Sequence, residues 1–221
     1  MTSETTTSAV RIVEAGPQHV PFVAWTMLTA ARSHMPRSTF DMLIEGGEQA
    51  VLRFMEALAT TETIHFGHYS GFIVAEVDGR PAAALSGYVP SERGEAFDKA
   101  IFETAERTGI GAEELGRRLT SGPDCIFRIF AHPEDDPWTV EWVATHPDFR
   151  RRGLVDRLLA EILEIGRARG KRNAHISVFI GNDGAQRAYE KNGFVVYGEG
   201  RDADFERLYG SPGAYWLRRP I

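Results

Sequence analysis

The chain has one cysteine, Cys125, in 221 residues. A lone thiol excludes an internal disulfide and suits a reducing compartment. No nucleophile–base pattern surrounds it, so it reads as a small buried apolar side chain. Long apolar runs are also missing. The best candidate, Val20 to Ala31, falls short of the roughly 20 residues a membrane helix needs. It lacks the basic flank of a signal peptide as well and reads as a core-facing helix. Positive charge is in the minority, with 25 Lys and Arg against 31 Asp and Glu and a formal net charge of −6. That balance argues against a nucleic-acid surface and is compatible with a cationic substrate. His34, His65, His68, His146 and His175 show no ligand spacing, and His132 beside Glu134-Asp135-Asp136 matches no defined site, so no metal is expected. There is no internal repeat. The Thr/Ser-rich stretch Met1–Ser8 is expected to be a disordered tail. A cytoplasmic protein with neither a membrane nor a nucleic-acid partner is the default expectation.

What is present is the composition of a globular domain, 43% hydrophobic and 25% charged. One domain over residues 9–221 is expected. Val10–Glu14 reads as a strand, His19–Arg32 as a helix, His34–Asp41 as a connector and Glu48–Thr61 as a second helix. Phe72–Val77 and Pro81–Val89 form a hairpin around Asp78-Gly79. Pro90 to Pro137 is too long for a structureless loop. Phe97, Ala100, Ile101, Ala105 and Thr108 mark one helix there. Leu115 and Leu119 mark another, ending before Ser121-Gly122-Pro123, and Cys125–Phe130 is apolar enough for a short strand.

Residues 138–194 carry most of the chemistry. Trp138–Thr145 reads as a strand that Pro147 terminates. From Leu154, apolar residues recur at helical spacing as far as Ile165, and Gly170 suits the stop. The turn between them is Arg150-Arg151-Arg152-Gly153-Leu154-Val155. The first N–H groups of a helix lack internal partners and favour an anion. Gly153 permits close approach to the backbone, and the three arginines add charge. Asn173–Ile180 reads as the next strand. Asn182 or Asp183 then caps a helix running to about Asn192, with Tyr189 on the face of Asn182. Gly193 suits its left-handed stop, and Tyr215-Trp216-Leu217 suits a last strand. Each piece has a plain reading too: a solvated basic turn, a helix cap, a buried aromatic.

Taken in order, the strand Val140–Thr145, the R-x-x-G-x-[GA]-like turn Arg150–Val155 and the pattern N-x-x-A-x-x-x-Y-x-x-x-G-F (Asn182, Ala185, Tyr189, Gly193, Phe194) resemble the core of the GNAT superfamily of N-acetyltransferases. The resemblance implies an α/β (α+β) fold with a mixed, partly antiparallel sheet and helices on both faces. Against that pattern, residues 91–137 stand as a helical insertion between the third and fourth strands, expected to cover the acceptor side. Acetyl-CoA is implied as co-substrate, with a primary amine of a small molecule or peptide as acceptor and direct attack as the route. In that frame Val143, Ala144 and Thr145 lie along the cofactor arm, and Arg150, Arg151, Arg152, Gly153, Leu154 and Val155 surround the pyrophosphate. Asn182 bonds to the arm or to bound water, and Tyr189 is the acid for the departing thiolate. Glu141, four residues before Thr145 and expected on the same strand face, is the candidate base. The chain departs from the pattern at Val155, where the family has Gly or Ala, and a branched side chain there is expected to crowd the pyrophosphate. A non-catalytic CoA-binding or sensing module is the alternative, followed by an acyltransferase with another donor or acceptor. A homodimer stays open.

Overall fold

A computed structural model describes residues 9–121, 125–131, 133 and 135–221. The expected tail Met1–Ser8 therefore lies outside the described residues, as do Gly122, Pro123, His132 and Glu134. Seven strands form one sheet: β1 (Val10–Glu14), β2 (Phe72–Val77), β3 (Arg80–Tyr88), β4 (Trp138–Thr145), β5 (Asn173–Phe179), β6 (Val195–Arg201) and β7 (Gly213–Pro220). Their order is β1-β2-β3-β4-β5-β7-β6. Every neighbouring pair is antiparallel except β4 with β5. The β2–β3 hairpin turns through Asp78 and Gly79, whose φ values of 50° and 76° suit a two-residue hairpin loop.

Helices cover both faces. One side carries α1 (Val20–Arg32), α2 (Thr39–Leu43), α3 (Glu48–Leu58), α5 (Ala96–Arg107) and α6 (Ala112–Ser121). Val23, Met27, Phe54, Met55, Ala100, Ile101 and Leu115 from this layer pack with Phe72, Val74 and Ala84 of the sheet. The opposite side carries α8 (Leu154–Ala168) and α9 (Asp183–Lys191). Leu154, Leu158, Leu159, Ile162 and Leu163 of α8 pack there on Leu85, Val140 and Ile176, with Tyr189 of α9 beside them. This is the amphipathic stripe read from the sequence. Trp138 sets how closely α8 approaches: a Cβ added at Gly87 or at Gly166 would lie 2.5 Å from its side chain. A third cluster joins α7 (Cys125–Ile129) and α10 (Ala203–Tyr209) through Cys125, Ile129, Phe205 and Tyr209.

Three local expectations need correction. Cys125–Phe130 is the helix α7 and not a strand. Both edges of β4 already have neighbours, which leaves no place in the sheet beside it, while Cys125 and Ile129, four apart, bury one helical face. The connector after α1 contains α2, capped by the Ser38 side chain, which accepts from the Asp41 N–H. A short helix α4 (Pro90–Arg93) opens the segment between β3 and β4.

Candidate active site

The parallel pairing of β4 with β5 is brief. It runs through Trp138–Ala174, Thr139–His175 and Val140–Ile176 and stops there, although β4 continues to Thr145 and β5 to Phe179. Beyond Val140 the two strands splay apart. Backbone groups on that edge of β4 have lost their strand partner, and such groups require hydrogen bonds from elsewhere.

A bulge accompanies the splay. Ser86 of β3 lies opposite Glu141 and Ala84 lies opposite Ala144, so three steps on β4 match two on β3. The extra residue sits at Trp142, whose φ of 55° is left-handed and is an outlier for a bulky side chain. The added residue reverses the alternation of faces. Glu141 shares the face of Ala84, toward α1 and α5, whereas Thr145 lies opposite Ala83 on the α8 face. The expectation that Glu141 and Thr145 share a face is therefore overturned. Val143 packs on the α8 side, and Ala144 is buried opposite Ala84.

Past β4 the chain makes the arginine turn. Arg151 and Gly153 both have positive φ, at 62° and 69°, and alternate with Arg150 in the extended region at φ −61°. Such alternation gathers successive N–H groups into an anion-binding concavity. Gly153 is the N-cap of α8 and offers no side-chain cap, so the N–H groups of Leu154 and Val155 add to the same concavity. Arg150, Arg151 and Arg152 are exposed. The Arg152 guanidinium rests 5.2 Å from the Phe149 ring centroid and donates to the Asp148 carbonyl at 3.3 Å. The Val155 side chain packs against the α8-side core.

α9 is fastened to this turn. Asp156, in the first turn of α8, accepts from Lys191 Nζ at 2.5 Å and from Asn192 Nδ2 at 2.8 Å. That clamp holds the helix bearing Tyr189 beside the concavity. Tyr189 is 6% exposed, and burial raises its hydroxyl pKa. Among the described residues no side chain or carbonyl bonds that hydroxyl. Asn182 caps α9 by accepting from the Ala185 N–H at 3.2 Å, and its amide donates to Ser33 Oγ at 2.6 Å. Both ends of the Asn182 side chain thus have protein partners. The Ser33 contact also shows how α1 crosses the splay. Its Trp25 ring lies 5.5 Å from His146 beyond β4, and its C-cap Ser33 reaches Asn182 beyond β5.

Glu141 stands just past the point where the strands part. Burial drives its pKa up to about 7, and the nearby Tyr88 hydroxyl acts in the other direction. The pKa of Tyr88 is raised in turn by its own burial and by the carboxylate. Glu141 and Tyr189 occupy opposite faces of the sheet, with the parted strands between them. Tyr88, Trp142 and Ser33 were not legible as site residues, because each enters through strand register, the bulge or a helix crossing. Among the described residues, no group of three or more His, Cys, Asp or Glu side chains is gathered to hold a metal, and no helix is long and apolar enough to cross a membrane.

With that geometry in place, comparison with known proteins is informative. Residues 125–194 match the model of the acetyltransferase (GNAT) family. Over that segment the chain is similar to the core of the GNAT acetyltransferases. The matched segment runs from α7 through the splayed strands and the arginine turn to the end of the Tyr189 helix. No curated protein matches the chain by sequence. An acetyltransferase crystal structure shares the fold at a TM-score of 0.69 and 19% identity, over 96% of this chain and 99% of that one. An N-acetyltransferase from Staphylococcus aureus Mu50 does so at 0.64 and 20%, over 94% and 99%. The ribosomal-protein-S18-alanine N-acetyltransferase from Escherichia coli does so at 0.52 and 16%, over 96% and 94%. At these identities the likeness is one of fold.

Proposed function

We propose that this GNAT-type acetyltransferase uses acetyl-CoA to acetylate a primary amine by direct attack, with Glu141 as base and Tyr189 as acid. The observation that carries the reading is the opened β4 edge. It begins beside a half-buried carboxylate and ends at an uncapped helix N-terminus lined with arginines.

The residues present fit coenzyme A. The N–H groups of Arg151 to Val155 suit a pyrophosphate. The unpaired edge of β4 over Val143–Thr145 suits an extended, amide-bearing arm, which needs backbone partners as a strand does. Packing of the Val155 side chain into the core leaves its N–H directed with the others, which offsets the crowding expected there. Bound acetyl-CoA supplies an activated acetyl thioester. The chain supplies the proton chemistry around it. A carboxylate with a pKa of about 7 is poised to take a proton from an ammonium at neutral pH. N–H groups along the parted edge of β4 would steady negative charge on an oxygen. The raised hydroxyl pKa keeps Tyr189 protonated, as a donor must be. Asn182 acts here chiefly as a helix cap.

The test is a melting experiment with acetyl-CoA, CoA and ADP, followed by thiol release with a panel of amines. A ligand that binds only the folded state stabilises it by about 2.7 kcal/mol at a hundredfold excess over its dissociation constant. A shift with acetyl-CoA and amine-dependent thiol release support the reading. A shift without thiol release from any amine replaces the enzyme with a CoA-sensing module. No shift at millimolar ligand removes both.

A further inference from the structure

Five aromatic rings gather on the face of the sheet that Glu141 shares. Phe66 is their hub. It stacks on Tyr88 at 5.4 Å and 24°, on Phe97 at 4.3 Å and 24°, and on Trp142 at 5.9 Å and 10°. Phe40 extends the array, 6.4 Å from Trp142. Tyr88 stands two residues from Ser86, the partner of Glu141 on β3, and so shares its face, and Trp142 follows Glu141 in the chain. Phe40, Phe66, Phe97 and Trp142 are only half-buried. Their partial exposure beside a charged group needs a reason, because core aromatics are normally covered.

The polar inventory of this wall is short. His65 borders Phe97 at 5.4 Å, but its Nε2 bonds the Leu58 carbonyl and its Nδ1 accepts from the Gly67 N–H. Beyond its own burial, the Tyr88 hydroxyl feels the Glu141 carboxylate, which raises its pKa further. The Trp142 indole N–H is buried and has no partner. Among the described residues, the guanidinium–ring contacts fall on Phe149, Trp138 and Tyr197, outside this wall. At the edge of the wall, the Arg93 guanidinium acts on His65 and His68. Negative ring faces and a carboxylate favour an incoming ammonium. Apart from the Trp142 N–H, a second charge or several hydroxyls on the same molecule would meet mainly rings.

We infer that the acceptor is a monocationic primary amine with an apolar, planar body, of the arylalkylamine class, and that Phe97 of α5 helps select it. The inference rests on the acetyltransferase reading above. It assigns the body of the acceptor to the ring array and its ammonium to Glu141. It also gives the segment between β3 and β4 a part in substrate choice, through a ring that segment contributes.

The experiment compares 2-phenylethylamine, putrescine and an Ala-initiated tetrapeptide as acceptors at fixed acetyl-CoA, in the intact protein and in Phe97→Ala, Phe97→Tyr and Phe40→Leu. 2-Phenylethylamine is expected to exceed putrescine in kcat/KM by at least about tenfold. Phe97→Ala raises KM for 2-phenylethylamine about tenfold while kcat and the acetyl-CoA melting shift hold, and Phe97→Tyr restores KM. Phe40→Leu, at the other end of the array, raises the same KM and checks that the result is not a folding defect at α5. Preference for putrescine or the tetrapeptide, with the acetyl-CoA shift intact, overturns the inference and leaves the proposed function standing. The inference also falls if Phe97→Ala lowers kcat/KM equally for all three acceptors. Absence of the acetyl-CoA shift removes both readings.

Discussion

Replacing Glu141 with glutamine tests the proposed base in two independent ways. The side chain keeps its size, but it can no longer take a proton. If Glu141 is the base, kcat/KM falls by 10²–10⁴ on the plateau above neutral pH, the usual range for losing a positioned base. The more decisive quantity is the ratio of the two enzymes across pH. Ionisation of the amine is common to both and cancels. The parent loses its base as pH falls through about 7, so the ratio drops about tenfold per unit below that point and is flat above it. The second readout is stability. Burial holds the folded pKa of Glu141 above its unfolded value, so its protonated form favours folding. That contribution is present below about 4.5 and is lost as pH rises through about 7. Above pH 7 the parent carries a desolvated carboxylate that costs about 3 kcal/mol, and the glutamine variant does not. The variant is therefore expected to melt several degrees higher at pH 8 and at an unchanged temperature at pH 4. Initial rates by thiol release with acetyl-CoA and 2-phenylethylamine from pH 5 to 9, beside melting curves in the same buffers, supply both readouts. A pH-independent activity ratio would refute the assignment. A variant that melts lower at pH 8 would refute the burial argument beneath it.

Other consequences are more local. Tyr189→Phe should lower kcat by at least about tenfold while leaving the acetyl-CoA melting shift in place; loss of the shift would mean that the ring holds the cofactor instead. Gly153→Ala forces a side chain onto a φ of 69°, which costs about 1–2 kcal/mol, and it should weaken acetyl-CoA binding in calorimetry. Gly166→Ala sets a Cβ 2.5 Å from Trp138 and should destabilise by about 1–3 kcal/mol in urea titration without changing KM. Asp41 is held at about 2, since the Arg32 and Ser38 hydrogen bonds outweigh its burial. Its contribution of about 2 kcal/mol is present above pH 4 and disappears as pH falls through about 2. The stability gap between the parent and Asp41→Asn should therefore close over that window.

The parts of the fold that were legible in the sequence are those whose cause is local. The α8 stripe from Leu154 to Ile165, the Asn182 cap, the positive-φ turn at Asp78-Gly79 and the arginine turn each depend on a few adjacent residues. Cys125–Phe130 was misread because a short apolar run has no period of its own; whether it pairs or coils depends on an edge being free elsewhere. α10 went unread for a similar reason. Ala203–Tyr209 is short, and it is defined by Asp202, which accepts from the N–H groups of Asp204 and Phe205, and by packing on α7. The placement of β7 between β5 and β6 is a matter of topology that no window of residues contains.

At the candidate site the division is sharper and has a chemical meaning. The residues that would grip the cofactor follow one another in sequence, because a helix N-terminus gathers consecutive N–H groups. The residues that would handle the acceptor do not. Tyr88 reaches Glu141 from β3, Phe66 comes from the link between α3 and β2, and Phe97 comes from α5. The bulge at Trp142 decides how the later part of β4 is turned relative to Glu141. Without the extra residue, Glu141 and Thr145 would lie on one face, and the carboxylate would have to choose between the aromatic array and the side of α8 and Tyr189. With it, Glu141 and Ala144 share the face of the array while Val143 and Thr145 turn toward α8. One strained residue thus separates the proposed acceptor side from the proposed cofactor side along a single strand. That separation lets the acceptor wall be built from remote elements, such as α5, without disturbing the contiguous turn proposed to hold coenzyme A.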